Sequence, residues 1–90
     1  MPRYLLDIGA SAQRELDRLD NAVFARIDAK ILLLSENPRP AGCKKLKGYR
    51  DLWRLRVGVW RVIYSIDDSA RVVRILHVAH RRDVYEGDWH

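Results

Sequence analysis

The sequence predicts an α+β fold in which a helical hairpin covers one face of a four-stranded, mostly antiparallel sheet. Three observations lead to this prediction. Apolar residues recur at helical spacing in the first half of the chain and alternate as in strands after residue 51. The chain has 90 residues, which suits one domain with a small core. We therefore expect a single domain over 1–90, with a frayed tail at 86–90.

The first half of the chain predicts one strand and two helices. Residues 4–8 form a short strand that Gly9 ends. Ser11 is a good N-cap for a helix from residue 12 to about 19. A second helix runs from residue 22 to about 35. Because the break between the helices is short, we expect them to pair as a hairpin on one face of the sheet.

The second half of the chain predicts a loop and then three strands joined by tight turns. Residues 41–51 contain the loop, Gly58 supplies one turn, and residues 67–70 supply the other. The three strands occupy residues 52–57, 59–66 and 71–79. With the N-terminal strand, the predicted order is β-α-α-β-β-β.

Positive charge is concentrated in one part of the chain. Residues 39–65 contain eight basic residues and one acidic residue, a net charge of +7, while 1–38 and 66–90 each carry −1. Such clustering is typical of a surface that binds a polyanion, with nucleic acid first. An acidic protein partner fits the same pattern, and a solvated basic loop and strand is the alternative without a binding role.

Arginines share one face of the predicted second strand. Strand alternation places Arg54 and Arg56 opposite the apolar residues of 52–57, about 7 Å apart. Arg61, beyond the Gly58 turn, joins them if the strand register permits. Guanidinium groups that converge repel one another, so we expect these three, with Arg81, to form a phosphate site. We call this surface the arginine face.

The sequence predicts no metal, no cofactor and no membrane span. His77 and His80 project from opposite faces of one strand, so they cannot share a metal ion. The single cysteine, Cys43, excludes an internal disulfide and has no evident base nearby in sequence. No apolar run approaches the ~20 residues of a transmembrane helix, and the N-terminus lacks signal-peptide features. We therefore expect a small cytoplasmic domain.

The chain contains five notable segments in a fixed order: Asn37-Pro38-Arg39-Pro40, Lys45-Leu46-Lys47-Gly48, Leu52-Trp53-Arg54-Leu55-Arg56-Val57-Gly58, Trp60-Arg61-Val62-Ile63-Tyr64 and His80-Arg81-Arg82-Asp83-Val84-Tyr85. Together these segments resemble the RelE/ParE superfamily of toxins from prokaryotic type II toxin–antitoxin pairs. The resemblance extends from about Tyr4 to Tyr85 and implies a RelE-like fold.

The resemblance implies one of two toxin activities. RelE-like members are ribosome-dependent endoribonucleases that cut mRNA in the decoding site, whereas ParE-like members inhibit DNA gyrase. The tail of this chain has both Arg81 and Tyr85, which favours the RelE-like side. A degenerate member that only binds an antitoxin is a third possibility.

The resemblance also assigns catalytic positions. Arg54 and Arg56 fall where RelE-type enzymes carry basic active-site residues, and Arg61 matches a strand arginine. Arg81 matches the catalytic tail arginine, and Tyr85 matches the tail tyrosine that stacks on or orients the RNA.

This chain departs from the best-known RelE pattern, which has lysines at the positions of Arg54 and Arg56, one of them proposed as general base. Arginine does not readily lose its proton, so it is a poor base. Either His80 takes the role, because imidazole titrates near neutrality, or electrostatic stabilisation provides most of the rate.

The expected reaction needs no metal, because the 2′-hydroxyl of RNA is the nucleophile. Arg61 with Arg54 or Arg56 would stabilise the phosphorane, and Arg81 or His80 would assist the leaving 5′-oxygen. Further basic residues would grip RNA: Lys44, Lys45, Lys47 and Arg50. The partners implied are the ribosome, mRNA and a cognate antitoxin, acidic and encoded by an adjacent gene, in a hetero-oligomer.

Overall fold

The computed structural model describes residues 3–80, which form a mixed five-stranded sheet with two helices. The strand order is β1-β5-β4-β3-β2; β1 pairs with β5 in parallel, and every other neighbouring pair is antiparallel. The predicted frayed tail at 86–90 lies outside the described residues. The elements are β1 (Leu5–Ile8), α1 (Ala10–Asp17), α2 (Asn21–Leu33), β2 (Lys44–Lys45), β3 (Leu52–Val57), β4 (Trp60–Asp67) and β5 (Val72–His80).

The prediction of four strands was wrong by one short strand. Within the expected loop 41–51, β2 pairs Lys44 with Arg54 and Lys45 with Trp53. Two residues are too few to show an alternating pattern, because strand periodicity becomes visible only over about four residues. The pairing extends the sheet beyond β3 and brings a lysine beside the arginines.

The start of α1 also differs from the prediction. The helix begins at Ala10 with Gly9 as its N-cap, and Ser11 lies within the first turn. The Gly9 amide donates to the Ile75 carbonyl at 2.8 Å, and a Cβ atom on Gly9 would lie only 2.9 Å from that oxygen. Close packing on β5 therefore determines where α1 begins, in place of a side-chain cap.

Both helices pack on the same face of the sheet, as predicted. The buried core joins residues of α1 and α2 to alternate residues of β3, β4 and β5. Tyr64 is its largest fully buried side chain, and its hydroxyl donates to the Pro38 carbonyl at 2.8 Å. Helix residues in the core are Ala12, Leu16, Ile27, Ile31 and Leu34; strand residues are Leu55, Val57, Val62, Tyr64, Ile66, Val73, Ile75 and Val78.

A β-bulge in β5 changes which side chains face the helices. Tyr64 pairs with Ile75, whereas Ile63 pairs with His77, so Leu76 has no partner in β4. The extra residue shifts the alternation by one position. As a result Ile75 and Val78 both lie in the core, while His77 projects from the other face.

Candidate nucleic-acid interface

The strand register brings the three predicted arginines together. Arg56 lies directly opposite Arg61, and Arg54 lies opposite Ile63, on the sheet face away from the helices. Side chains directly opposite one another start about 5 Å apart at Cβ. Through β2, Lys44 lies opposite Arg54. Three neighbouring strands therefore present four cationic side chains on the arginine face.

Arg61 is the most enclosed of these cations. Only 9% of it is exposed, and its Nη1 donates to the carbonyls of Gly58 at 3.4 Å and Trp60 at 3.2 Å. Gly58 adopts a φ of +60°, a conformation that favours glycine at the β3–β4 turn. Because the turn carbonyls hold the guanidinium, Arg61 is oriented before any ligand arrives.

A cleft runs along the outer edge of β3 beside these cations. Its volume is about 490 Å³, and Lys44, Arg54 and Arg56 line it together with residues 41–42 of the preceding loop. Arg56 is exposed, and Arg54 is half-buried. A groove with cations along one wall suits the sugar–phosphate backbone of a single nucleic-acid strand.

The other predicted RNA-binding residues lie at different places. Lys45 pairs with Trp53, so the register places it on the side opposite Lys44. Lys47 and Arg50 are exposed in the loop between β2 and β3. Of the four residues, the fold therefore brings Lys44 alone to the arginine face by strand pairing.

Arg39, the first residue of the basic stretch, has a structural role. Its guanidinium bonds both carboxylate oxygens of Asp68, at 3.2 and 2.8 Å, and lies 5.1 Å from the centre of the Trp53 ring. The Tyr4 hydroxyl donates to the same carboxylate at 2.7 Å. These hydrogen bonds lower the pKa of Asp68 from 3.8 to about 2, and the bonds from Arg39 have the largest effect.

The two histidines lie on opposite faces, as predicted, and His80 is not on the arginine face. His80 pairs with Trp60 and packs edge-on against its ring, with 5.4 Å between the centroids, on the helix side of the sheet. His77 is on the arginine face, opposite Ile63. No role was predicted for His77; the bulge at Leu76 reverses the alternation and places it on this face.

Glu15 connects α1 to the end of β5 next to His77. Its Oε1 accepts from the Val78 amide at 2.9 Å and lies 3.5 Å from Nδ1 of His77. The carboxylate thus caps the exposed edge of β5 beyond the end of β1 and lies beside the imidazole.

Two predicted catalytic residues, Arg81 and Tyr85, lie outside the described residues 3–80. Within that range, no three acidic, histidine or cysteine side chains are grouped closely enough to hold a metal ion. Over the same range, neither helix is long and apolar enough to cross a membrane.

Comparison with known proteins identifies the family. Residues 6–85 match the family described as ParE toxin of type II toxin-antitoxin system, parDE. The protein named Toxin RelE from Mycobacterium tuberculosis is 34% identical over 83 residues, covering 91% of this chain and 86% of that protein. Toxin RelG from the same organism is 30% identical over 83 residues, covering 91% and 95%.

Solved structures agree in fold. The RelE–RelB complex of Pyrococcus horikoshii matches with a TM-score of 0.79 and 30% identity, covering 91% of this chain and 99% of that chain. The isolated RelE toxin of Escherichia coli matches with a TM-score of 0.75 and 26% identity, covering 86% and 83%. The chain therefore belongs to the RelE/ParE superfamily of type II toxin–antitoxin toxins, and it is a RelE-like member.

Proposed function

We propose that this toxin is a ribosome-dependent, metal-independent endoribonuclease that cuts mRNA in the decoding site and so inhibits translation. The observation that carries the proposal is the direct pairing of Arg56 with Arg61, flanked by Arg54 and Lys44. Four cations on one face favour a site for phosphate. The 34% identity to a protein named Toxin RelE supports the RelE-like side of the superfamily, for which mRNA is the expected substrate.

The proposed reaction is an in-line transfer within the RNA. The 2′-hydroxyl gives up its proton to a base or to water, and its oxygen bonds to phosphorus. The bond from phosphorus to the 5′-oxygen breaks, and the leaving 5′-oxygen takes up a proton, so the protons balance. Negative charge builds on the non-bridging oxygens, where Arg61 and Arg56 stabilise it. Arg81 assists the leaving oxygen, and Tyr85 orients the RNA. The products are a 2′,3′-cyclic phosphate and a 5′-hydroxyl.

The geometry favours electrostatic stabilisation over proton abstraction by His80. His80 packs against Trp60 on the helix side of the sheet, whereas the arginines project from the other side. Of the two histidines, His77 is the one on the arginine face, so it is the candidate to accept the 2′-proton. An oriented cation such as Arg61 lowers the barrier by stabilising the transition state, without itself accepting a proton.

A cognate antitoxin is the expected protein partner in the cytoplasm. The matched structures from Pyrococcus horikoshii and Mycobacterium tuberculosis are toxin–antitoxin complexes named RelE–RelB and RelBE2. We propose that an acidic segment of the antitoxin covers the basic stretch 39–65 in a hetero-oligomer, because that stretch carries a net charge of +7.

The test is cleavage on programmed ribosomes. Purified chain is added to ribosomes bearing a defined mRNA, and cuts are mapped by primer extension for the wild type, Arg56→Ala and Arg81→Ala. Arg18→Ala is the matched control, because Arg18 is exposed at the C-cap of α1, near Trp60 and His80 on the helix side of the sheet. We expect cuts in the decoding site that require ribosomes, are lost in the first two variants and persist in the control. Retention of cleavage by Arg81→Ala would refute its catalytic role.

Inhibition of DNA gyrase is the second candidate, favoured by the match of residues 6–85 to the ParE toxin family. In that case the arginine face binds DNA or an acidic protein surface. A folded wild-type chain that cuts no mRNA but blocks supercoiling by gyrase would establish this candidate and overturn the first.

A further inference from the structure

An apolar pocket of about 490 Å³ lies on the same sheet face as the arginines. Ile63 lies beneath this pocket and is fully buried, although it projects away from the helices. Tyr49, from the loop between β2 and β3, is half-buried and contributes an aromatic ring. The remaining lining residues are Gly9, Ala10, Ser11, Leu52, Leu76 and His77.

The pocket adjoins the cations of the arginine face. Ile63 lies directly opposite Arg54 and two residues from Arg61, on the same side of the sheet. Leu52 is likewise two residues from Arg54 in β3. The Cβ atoms of opposed residues are about 5 Å apart, and those two apart along a strand about 7 Å. The apolar wall and the charged surface are therefore continuous.

We propose that this pocket is a nucleobase subsite that takes one base of the RNA strand whose phosphates contact the arginine face. This inference rests on the proposed nuclease function and adds a specificity determinant to it. A nucleotide combines an anionic phosphate with a flat, largely apolar base, and the surface offers a matching part for each. Proteins that read single-stranded RNA stack bases on aromatic rings and hydrogen-bond their edges.

Polar groups at the pocket suit the edge of a base. Ser11 contributes a hydroxyl, which accepts from Nη2 of Arg14 at 3.2 Å and has its own proton to donate. His77 contributes an imidazole ring, whose Nδ1 lies 3.5 Å from Oε1 of Glu15. An apolar protein side chain would use the apolar lining of the pocket but neither these groups nor the neighbouring cations, so the observations favour a nucleotide.

The experiment measures binding without cleavage. The probes are 2′-O-methyl trinucleotides, which lack the nucleophile, either intact or abasic at one position in turn. Dissociation constants are measured at one fixed salt concentration for the wild type, Tyr49→Ala and Ala10→Trp. Tyr49→Ala removes the ring, and Ala10→Trp fills the pocket from an exposed position in the first turn of α1. Circular dichroism checks that each variant is folded.

The proposal predicts a coupling between one base and the pocket. Removing that base from the probe weakens binding to the wild type by about tenfold. The same removal leaves binding to Tyr49→Ala and to Ala10→Trp unchanged. Leu5→Ala, an exposed apolar residue on β1 outside the pocket, retains the wild-type response. Tyr49→Phe retains it too, because the ring remains.

Three results would overturn the subsite. One is equal binding of all abasic probes by the wild type, which leaves phosphate binding by the arginines intact. Another is loss of affinity for a purified antitoxin, but not for RNA, in both pocket variants, which assigns the pocket to the protein partner. The third is absence of binding to every trinucleotide. Failure of the nuclease proposal is seen separately, as an absence of cuts on programmed ribosomes.

Discussion

Replacing Tyr64 by phenylalanine tests how the loop that precedes β2 is held against the sheet. Tyr64 is fully buried, and its hydroxyl donates to the carbonyl of Pro38, itself a buried residue, at 2.8 Å. The substitution keeps the ring and its packing, so no large cavity forms. It leaves a buried carbonyl without this donor, which costs about 1–3 kcal/mol. For a domain of this size, each kcal/mol lowers Tm by about 4–8 °C.

Urea denaturation of the purified wild type and variant at neutral pH gives the free energies of unfolding, and calorimetry gives the Tm values. Tyr4→Phe is the control, because the Tyr4 hydroxyl donates to the exposed carboxylate of Asp68, where water can replace it. We expect Tyr64→Phe to be clearly less stable than Tyr4→Phe. A loss below about 0.5 kcal/mol, or an equal loss in both variants, would refute the reasoning from burial.

Three further predictions follow from individual contacts. Hydrogen bonds hold the pKa of Asp68 at about 2 against an ordinary 3.8, so its stabilising effect is complete above the ordinary value and is lost as the pH falls toward 2. When the unfolding midpoint is measured against pH, Asp68→Asn should therefore change less than the wild type between pH 4 and 2. His77→Ala should slow mRNA cleavage on ribosomes by about 10²-fold if the imidazole accepts the 2′-proton, whereas His80→Ala should cut near the wild-type rate. Gly9→Ala should lower the free energy of unfolding in urea by about 1–3 kcal/mol, because its Cβ would lie 2.9 Å from the Ile75 carbonyl.

Each of these predictions has a contrary result. An unchanged slope between pH 4 and 2 in Asp68→Asn would mean that this carboxylate does not contribute to the acid transition. Loss of cleavage in His80→Ala, with His77→Ala fully active, would mean that His80 is the general base, as the sequence alone suggested. A Gly9→Ala chain as stable as the wild type would show that α1 shifts away from β5 at little cost.

The arrangement of β3 was predictable because its pattern is regular over six residues. Arg54 and Arg56 alternate with apolar residues, and the observed register confirms that they face away from the core. The pairing of Arg56 with Arg61 follows from a two-residue turn at residues 58–59. Short, local connections of this kind leave little freedom in register.

The positions of the two histidines depended on a feature that periodicity does not reveal. Uninterrupted alternation from Ile75 would place His77 in the core and His80 on the arginine face. The bulge at Leu76 reverses both. A bulge is one extra residue in a strand, and no residue type in this segment marks it, so it became visible only in the paired sheet.

The apolar pocket was likewise hidden, because it is assembled from distant parts of the chain. Ile63 alternates with core residues and would be expected to face solvent. Tyr49 lies in a loop, and Ala10 begins a helix; both come to line the pocket above Ile63 through tertiary packing. Sequence spacing describes contacts along one element and does not describe how a loop and a helix end meet over a sheet.

The most direct test of the central claim uses an mRNA in which one nucleotide at the mapped cut site has a 2′-deoxyribose. Ribosomes programmed with this mRNA or with the all-ribose form are treated with the wild-type chain, and mass spectrometry identifies the product ends. We expect the all-ribose mRNA to be cut to a 2′,3′-cyclic phosphate and a 5′-hydroxyl, and the 2′-deoxy mRNA to stay intact at that site. Equal cutting of both mRNAs, 5′-phosphate ends, or no cutting of either would contradict it.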